Sequence, residues 1–487
     1  MRPAPPSRSL VAAIIASQFA PPFMFSGVAV SLPDLAGDLD ASARALGLVE
    51  TLFLAGAASG LLPWGRLADA SDKATIYKAG LLVFCLASFG IGASSSVPLL
   101  LGLRFIQGAA SSAYAATGPA LLTELVPPER RGRVFGASVG TIYAGLTLGP
   151  MAAGALTTAL GWRAVFLFGG GVLFAALLVV HAALRARWRR PAPGAVHLPS
   201  AGLLVAAMLC LVFGSAGIRD GGTGGALVLA GIALGTVFLL AQLRLGQPLV
   251  DLRGIGRIPV LRDALIVQTL VYTNAFTSIF LLSLFLQVVL ERPADLAGRV
   301  LASGTLVMAV LAPLTGRLAD RFSARGLALL GVAFLVVSSG LGTTLGPGMT
   351  TGFVFLLLGI QGIGFALFSS PNMTVIMNAA PRAQVAVASS LAAVTRQLGM
   401  ISGMLATSTL IALRLGDAPV DEHPGALLEV LTTAFGLLAL ATGGALLYGV
   451  QRAAKRRSRR PQEREGTVTH PSPSKTPSVG KSRAAGP

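Results

Sequence analysis

The pentapeptide GRLAD occurs twice in this chain, at residues 65–69 and again at residues 316–320. Each copy ends a long apolar stretch, and basic residues follow within a few positions. The same pentapeptide at the same place in two halves of an apolar chain indicates an internal repeat.

The expected role of the two GRLAD segments is contact between helix ends at a membrane surface. Glycine lets two helix ends approach closely, and the charged residues nearby can pair with neighbouring helix termini and their dipoles. The residues to which this prediction applies are Gly65, Asp69, Lys73, Gly316 and Asp320.

The composition indicates an integral membrane protein. Of the 487 residues, 53% are hydrophobic and 12% are charged, whereas soluble proteins carry about 25% charged residues. The two cysteines, Cys85 and Cys210, both lie in apolar stretches and cannot form a disulfide framework. The basic residues are mostly arginine, which together with abundant Ala, Gly and Leu is typical of a GC-rich bacterial genome.

Fourteen stretches are long and apolar enough to cross a bilayer as α-helices, which takes about 20 residues each. They are too long and too continuous for the alternating pattern of a transmembrane β-barrel, so the predicted fold class is all-α. The predicted spans are 10–33, 45–65, 75–96, 98–123, 133–158, 162–184, 198–218, 224–243, 264–290, 297–316, 326–346, 350–379, 384–413 and 427–450.

The GRLAD copies divide this polytopic protein into two pseudo-symmetric six-helix bundles plus two inserted helices. Residues 10–184 hold the first bundle and residues 264–450 the second, so that each GRLAD copy ends the second span of its bundle. Residues 198–243 form the inserted pair. Residues 1–9 are the N-terminus, and residues 451–487 form a basic tail, rich in Arg, Ser and Pro, that is predicted to be disordered.

The distribution of basic residues orients the chain. With the N-terminus in the cytoplasm, the inner segments hold 30 of the 38 Lys and Arg residues, the outer loops hold 6, and 2 lie within spans, as the positive-inside rule requires. Both termini are therefore expected in the cytoplasm of a multi-pass protein of the bacterial inner membrane, with an uncleaved first helix. The net charge of +18 is then an insertion signal and a contact with anionic lipid, and no nucleic-acid partner is expected.

Five segments together resemble motifs of the major facilitator superfamily. GRLADASDK at residues 65–73 is similar to the loop motif G-x-L-x-D-x-x-x-[RK], and LGLRFIQGAASSA at 101–113 is similar to L-x-x-x-R-x-x-Q-G. GLTLGPMAAGAL at 145–156 resembles the antiporter motif G-x-x-x-G-P-x-x-G-G. GWRAVFLF at 161–168 and TRQLGMISG at 395–403 resemble further segments of the family. With fourteen spans, the resemblance is to the drug:proton antiporter branch.

The resemblance fails at one position that matters for energy coupling. In that branch the first span usually ends in a pattern like L-D-x-T-x-V-N-V-A-L-P, whose Asp is thought to help proton or cation coupling. The corresponding stretch here is FMFSGVAVSLP at residues 23–33, with Met24 in place of the Asp and Ala29 in place of the Asn. The usual coupling carboxylate is therefore missing.

Three ionisable residues lie clearly within predicted spans, where a charge is costly and indicates function: Glu50, Arg104 and Arg396. Counted from the span ends, all three lie in the outer half of the membrane. One hypothesis is that Glu50 replaces the missing carboxylate and exchanges protons as its surroundings change. The alternative is that Glu50 stays hydrated or forms a static pair with Arg104. Arg104 and Arg396 are expected to act in coupling or gating, with structural packing or hydrogen bonding as the alternative.

The fifth span contains Gly145, Gly149 and Pro150. Small residues four positions apart make a smooth helix face, and proline bends the helix. The functional hypothesis is a gate that closes by contact between helices and prevents leak. The alternative is the ordinary packing of membrane helices.

The resemblance also implies a central cavity lined by the first and fourth spans of each half. Few charges and many apolar side chains there suit a lipophilic ligand, including a neutral one, whereas a carboxylate facing the cavity would favour cations. The residues predicted to line the cavity are Gln18, Phe23, Gln107, Tyr272, Asn274, Gln361 and Asn372.

The function that these features imply is a secondary exporter of small lipophilic compounds that works by alternating access and is driven by protons. Its expected partners are the substrate, protons and the lipid bilayer, and it is expected to be a monomer without cofactor or metal. One alternative is a facilitator or uptake carrier of the same fold. Two more distant alternatives are a membrane-embedded enzyme, for which no paired catalytic residues are found, and a non-transporting sensor.

Overall fold

The computed structural model describes residues 8–183, 197–246, 248–250, 252–379 and 385–465. These residues fold into helices and short connections, without a β-strand among them. The helices of the first half are α1 (Arg8–Ser17), α2 (Ala20–Leu39), α3 (Ala43–Ala70), α4 (Lys73–Gly92), α5 (Val97–Leu125), α6 (Pro128–Leu160) and α7 (Arg163–Ala183).

Two inserted helices and a short connecting helix follow, and then the second half begins. The inserted helices are α8 (Leu198–Ala216) and α9 (Gly222–Arg244), and the short helix is α10 (Leu252–Arg257). The helices of the second half are α11 (Pro259–Ala275), α12 (Thr277–Leu284), α13 (Ala294–Arg321), α14 (Ala324–Gly342), α15 (Thr351–Ala379), α16 (Val385–Arg414) and α17 (Pro424–Glu465).

The all-α, polytopic fold class predicted from the sequence is confirmed. Within the described residues, eleven helical stretches are long and apolar enough to cross a membrane. Three more helices, α5, α6 and α16, contain 29, 33 and 30 residues and correspond in position to predicted spans four, five and thirteen. The helices therefore follow the fourteen predicted spans in order.

The first span of each half is broken near its middle. Helix α1 ends at Ser17, and α2 starts again at Ala20 with Pro21 and Pro22 in its first turn, because proline has no backbone N–H to continue a helix. The equivalent span of the second half is interrupted at Phe276 between α11 and α12, and it ends in a π-helical turn at Phe285–Val289.

Glycine contacts repeat between the two halves. In the first half, Gly145 and Gly149 of α6 lie directly against the backbone at Phe19 and Phe23, and a Cβ atom added at Gly149 would come within 2.8 Å of the Phe23 carbonyl oxygen. Only glycine permits this approach, so α6 crosses α2 backbone to backbone.

The second half makes the same crossing with other residues. Gly399 and Gly403 of α16 lie against the carbonyl groups of Thr269 and Thr273 of α11, where a Cβ atom on Gly403 would lie 3.1 Å from the Thr273 carbonyl carbon. The spacing of four residues on both partners is the same as in the first half. The structure thus carries the internal repeat that the two GRLAD copies predicted.

A second repeated crossing joins the second and fourth spans. Gly56 of α3 and Gly108 of α5 face each other, so that a Cβ atom on Gly108 would lie 2.9 Å from the carbonyl carbon of Phe53. In the second half, Gly362 of α15 lies against the Gly304 carbonyl of α13. Small residues at such crossings let membrane helices gain van der Waals contact that lipid cannot replace.

The inserted helices lie at the seam between the two halves. They pack on each other at Gly214 and Gly231, and α8 contacts both α3 of the first half and α16 of the second. Arg44 at the start of α3 pairs with Asp220, which lies between α8 and α9, at 2.6 Å and with Asp417, which follows α16, at 3.2 Å. One arginine therefore connects both halves and the insert at one end of the molecule.

Helix α17 continues beyond the membrane-spanning stretch as far as Glu465. The prediction of a disordered tail from residue 451 is therefore wrong for residues 451–465. Most residues of 451–460 are good helix formers, and they extend an existing helix, which needs no new nucleus; Pro461 also lies within this helix, although proline disfavours a helix interior. Residues 466–487 lie outside the described part of the chain.

We predict that Gly108→Leu destabilises the protein. The new side chain would meet the backbone of α3 at Phe53 and Ala57, and overpacking of this kind costs about 1–3 kcal/mol or more. Thermal unfolding in detergent measures the loss. The matched control is Gly102→Leu on the same helix, because Gly102 has open space around it. Equal losses in the two variants would contradict the proposed crossing.

Candidate functional site

A cavity of about 1250 Å³ lies between the two halves. Both halves contribute the equivalent helices to its wall: spans one, two, four and five of the first half, and the corresponding spans of the second half. The wall is largely apolar and aromatic, with Phe25, Phe53, Tyr143, Tyr272 and Phe365 among its side chains. Such a lining suits an organic molecule with a lipophilic body.

The end of the cavity opposite the GRLAD segments is closed by contacts between the halves. Ser283 of α12 donates a hydrogen bond to the carbonyl of Ala29 at 2.7 Å, and Gln287 donates to the carbonyl of Val30 at 2.9 Å. Gly154 of α6 lies against the backbone at Ala294, at the start of α13. These contacts join the first span of one half to the first span of the other, and the fifth span to the tenth.

A further contact closes the same end. The hydroxyl groups of Thr51 on α3 and Ser408 on α16 lie 2.8 Å apart, and Ser408 also donates to the carbonyl of Gly47 at 3.0 Å. The cavity wall continues along the same helices toward the GRLAD end, to Leu61, Pro313 and Asn378. The cavity therefore extends toward that end, which the positive-inside rule assigns to the cytoplasm.

Gly145 and Gly149, predicted to act in gating, form the crossing of α6 with α2 inside the first half. Pro150 lies one residue further along α6, and its carbonyl faces Gly298 of α13 in the other half. Gly154 then continues the contact with α13. In the antiporter-like segment, Gly145 and Gly149 therefore pack against α2 of the same half, and Pro150 and Gly154 pack against α13 of the other half at the closed end.

Three of the residues predicted to line the cavity, Gln18, Tyr272 and Gln361, lie on its wall. Gln18 lies in the break between α1 and α2, and its side-chain nitrogen has no hydrogen-bond partner. Gln361 of α15 donates to Asn274 at 3.3 Å, while its own carbonyl oxygen is buried without a partner.

The other four predicted residues lie behind the wall, and the prediction for them is corrected. Phe23 is fully buried between Phe19 and Phe168. Each residue of an α-helix is turned by about 100° from the one before it, so only part of each span faces the cavity. The other three, which form hydrogen bonds inside their own half, are Gln107, Asn274 and Asn372.

Glu50 and Arg104 form an ion pair inside the first half. The Arg104 Nη2 atom lies 3.0 Å from Glu50 Oε2, and the two side chains are 0% and 2% exposed. Arg104 also donates to the Val49 carbonyl at 3.1 Å and to Gln107 Oε1 at 2.7 Å. The two charged groups are in contact but are not aligned as a hydrogen bond, because both carboxylate oxygens of Glu50 lack a hydrogen-bond partner.

The ion pair does not line the cavity. The ring of Phe53 lies on the wall and the Arg104 guanidinium lies 4.5 Å from its centre, whereas neither Glu50 nor Arg104 is part of the wall. Phe53 therefore separates Glu50 and Arg104 from the cavity in this conformation. The geometry corresponds to the static pair that the sequence left open as an alternative.

Arg396 is different, because it lies on the cavity wall. Tyr272 of α11 and Tyr143 of α6 bring aromatic hydroxyl groups to the same cavity. All three side chains line the cavity. Sequence reasoning identified Arg396 as an ionisable residue within a span but gave no indication of which way it faces.

The GRLAD segments form the last turns of helices rather than loops. Gly65 lies in α3 with open space around it, so the prediction of a close approach there is corrected, while a Cβ atom on Gly316 would lie 3.3 Å from the Ser370 hydroxyl. Lys73 pairs with Glu124 at 2.6 Å, which ties the start of α4 to the end of α5 in the same half. The side chains of Asp69 and Asp320 lie outside what the structure describes.

Sequence reasoning missed the contributions of α3, α6, α13 and α16 to the wall. Tyr143 and Thr147 of α6 lie there, as does Ser369 of α15. The sequence feature that singles out α6 is its glycine-rich face, which predicts a gate and does not indicate that α6 lines the cavity. Among the described residues, no group of three His, Cys, Asp or Glu could hold a metal ion.

A large apolar cavity between two repeated helical halves, closed at one end by contacts between them, defines a membrane transporter of small molecules. The chain belongs to the Major Facilitator Superfamily, whose family model matches residues 14–404 and, in a second match, residues 264–477.

Curated relatives include proteins with different stated roles. The chain is 28% identical over 390 residues to an uncharacterized transporter, YebQ, of Escherichia coli, covering 79% of this chain and 84% of that protein. It is 27% identical over 399 residues to a tetracenomycin C resistance and export protein of Streptomyces glaucescens, covering 81% and 74%. It is 22% identical over 391 residues to the riboflavin transporter RibZ of Clostridioides difficile, covering 79% and 84%.

Solved structures share the fold. A peptide transporter of the POT family in complex with sulfate superimposes with a TM-score of 0.69 at 15% identity, covering 92% of this chain and 94% of that chain. A POT family transporter in complex with 5-aminolevulinic acid gives a TM-score of 0.68 at 14% identity, covering 91% and 96%. At this identity the likeness concerns the fold alone.

We predict that Glu50→Gln lowers stability by about 3–5 kcal/mol, because it leaves the Arg104 charge buried without a counter-ion. The double variant Glu50→Leu/Arg104→Met removes both charges and is expected to lose less. Thermal unfolding in detergent compares the two. Parent-like stability of Glu50→Gln, or a double variant less stable than the single one, would show that the pair is not held as the geometry indicates.

We also predict that Gly298→Leu opens the closed end. A side chain there would meet the backbone at Pro150 and Met151. The reporter is Ser283→Cys in a Cys85→Ala/Cys210→Ala background, labelled with a membrane-impermeant maleimide from outside. The labelling rate should rise about tenfold, which corresponds to a cost of about 1.4 kcal/mol for the closed state.

The control for this experiment is Gly340→Leu, since Gly340 has open space around it. It should leave the labelling rate unchanged. If both variants label at the parent rate, the contact between α6 and α13 does not hold this end closed.

Proposed function

We propose that this protein exports small lipophilic compounds across the bacterial inner membrane by alternating access, in exchange for protons. The observation that carries the proposal is the cavity of about 1250 Å³ between the two halves, with its apolar and aromatic wall. In the proposed orientation both termini lie in the cytoplasm, so the cavity takes up its ligand from the cytoplasm or the inner leaflet. The protein acts as a monomer, because each chain supplies both halves.

The direction of transport rests on two features. The α6 segment resembles the antiporter motif, and its glycines make contacts within and between the halves that a tight gate needs. A relative at 27% identity is named a resistance and export protein. The rival proposal, an uptake carrier or facilitator of the same fold, draws support from the relative named a riboflavin transporter and from the missing carboxylate at Met24.

Proton coupling is proposed to use Glu50. It is the one carboxylate deep within a predicted span, since Glu429 lies only three residues into the last span and is exposed, and neither of the Glu50 oxygen atoms has a hydrogen-bond partner. Proton exchange requires Glu50 to separate from Arg104 when the halves move, since Phe53 now separates the pair from the cavity. Arg104 would then stabilise the carboxylate in one conformation and the protonated acid would form in the other.

The test is transport into inside-out vesicles with an acidic interior, using a panel of neutral, cationic and anionic lipophilic dyes. We expect accumulation of some of these dyes by the parent, which collapses when the pH gradient is dissipated. Vesicles without the protein are the control. If no dye of any charge accumulates, the exporter proposal fails and a facilitator or a carrier of narrow specificity takes its place.

Glu50→Gln then separates coupling from structure. Dye exchange at equal concentrations on both sides needs no gradient, so it reports whether the variant still folds and alternates. Retained exchange with lost gradient-driven accumulation is the expected result for a coupling carboxylate. Unchanged accumulation moves coupling away from Glu50, and loss of both activities means that the pair with Arg104 is structural.

A further inference from the structure

The charges on the cavity wall are of one sign. Among the described residues that form the wall, Arg396 carries the one charge, and there is no lysine, histidine, aspartate or glutamate. From the sequence, a carboxylate in the cavity is expected to select cations, and Glu50 is the candidate. In the structure, Glu50 lies behind Phe53, where it is paired with Arg104. The cavity therefore offers a ligand one positive charge and no described negative charge.

The Arg396 guanidinium is not neutralised by a neighbouring carboxylate. No aspartate or glutamate of the described chain lies within 4 Å of it, in contrast to Arg44, Arg104 and Arg163, which all have ion-pair partners. Tyr272, which carries a hydroxyl group, lies on the same cavity lining. Guanidinium nitrogens that face a cavity remain available as donors to a ligand.

Polar groups without partners lie on the same wall. Buried side-chain atoms without a hydrogen bond are the Gln18 nitrogen, the Thr147 and Ser369 hydroxyl oxygens, and the Gln361 and Gln397 carbonyl oxygens. Buried polar atoms usually have partners, so these wall residues, which come from both halves, have hydrogen-bonding capacity that no described protein group uses. Gln397 is next to Arg396 on α16.

We infer that the substrate carries an anionic group, such as a carboxylate, sulfonate or phenolate, on an aromatic or lipophilic body, and that Arg396 and Tyr272 bind this group. This inference deepens the proposed function and rests on it. Hydrogen bonds between a guanidinium and an anionic oxygen are about twice as strong as neutral ones, and the low dielectric of an apolar cavity increases the attraction. The same field repels a cationic compound.

A pair of fluorescent probes isolates the anionic group. 1-Anilinonaphthalene-8-sulfonate (ANS) and N-phenyl-1-naphthylamine (NPN) share one aromatic body, and only the first carries a sulfonate. Both probes are titrated against purified protein in lipid nanodiscs, with empty nanodiscs as the background. The variants are Arg396→Gln and Arg396→Lys, with Arg414→Gln as the matched control on the same helix, where Arg414 is exposed and pairs with Glu429.

We expect Arg396→Gln to weaken ANS binding about tenfold or more, as loss of a hydrogen bond to a charged group implies. NPN binding should change by less than about twofold, within the scatter of near-neutral substitutions. Arg396→Lys should recover part of the ANS affinity, since it keeps the charge and loses the forked geometry. Arg414→Gln should bind both probes as the parent does.

The inference is overturned if the parent does not bind ANS, or if Arg396→Gln weakens ANS and NPN equally. Should Arg396→Gln fail to fold, Gln397→Glu supplies a nearly isosteric test. A carboxylate at this wall position should weaken ANS and strengthen ethidium, a cationic dye, by about tenfold in opposite directions. Unchanged affinities for both dyes would contradict a ligand site beside Arg396.

Transport separates this inference from the exporter proposal. If vesicles accumulate cationic or neutral dyes but no anionic dye, the export function stands and the charge preference is wrong. If ANS binds through Arg396 and no dye is moved by any gradient, the anion site stands and the export function is wrong.

Discussion

Where α6 crosses α2, glycine at positions 145 and 149 brings two backbones into contact at Phe19 and Phe23. In lipid, apolar side chains gain nothing by leaving their solvent, so helix association depends on close packing and a few hydrogen bonds. The same crossing recurs at Gly399 and Gly403 in the second half. These two contacts hold the first span of each half in position, and the cavity lies between those spans.

Packing by small residues also explains how the two halves meet. The closed end combines the backbone contact at Gly154 and Gly298 with hydrogen bonds from Ser283 and Ser408 to carbonyl groups. Contacts of this kind can separate without leaving a buried charge, which a gate requires. The arginine cluster at Arg44 adds ion pairs that are partly exposed to water, and such pairs contribute modestly, about 0–1 kcal/mol each.

The two arginines with the clearest sequence signals have opposite environments. Arg104 is enclosed by Glu50, Phe53 and Phe166, so its charge is compensated within the first half. Arg396 faces the cavity without a described counter-ion. Both are visible in the sequence as charges within apolar spans, where a cavity-facing carboxylate would favour cations and Glu50 is the candidate for it. In the structure, Glu50 lies behind Phe53 and outside the cavity wall, so the charge that a ligand meets is that of Arg396.

The sequence by itself determined the all-α class, the order of the membrane-spanning helices and the repeat, because long apolar stretches and recurring motifs depend on residue type alone. It also identified the glycines of α6. Only the tertiary structure decided that Gln18, Tyr272 and Gln361 line the cavity while Phe23 and Gln107 do not. A membrane helix is apolar on the faces toward both lipid and protein, as exposed Leu229 and buried Leu281 illustrate, so its sequence carries little information about its rotation. That rotation is set by the neighbouring helices, and it determines which charge meets the ligand.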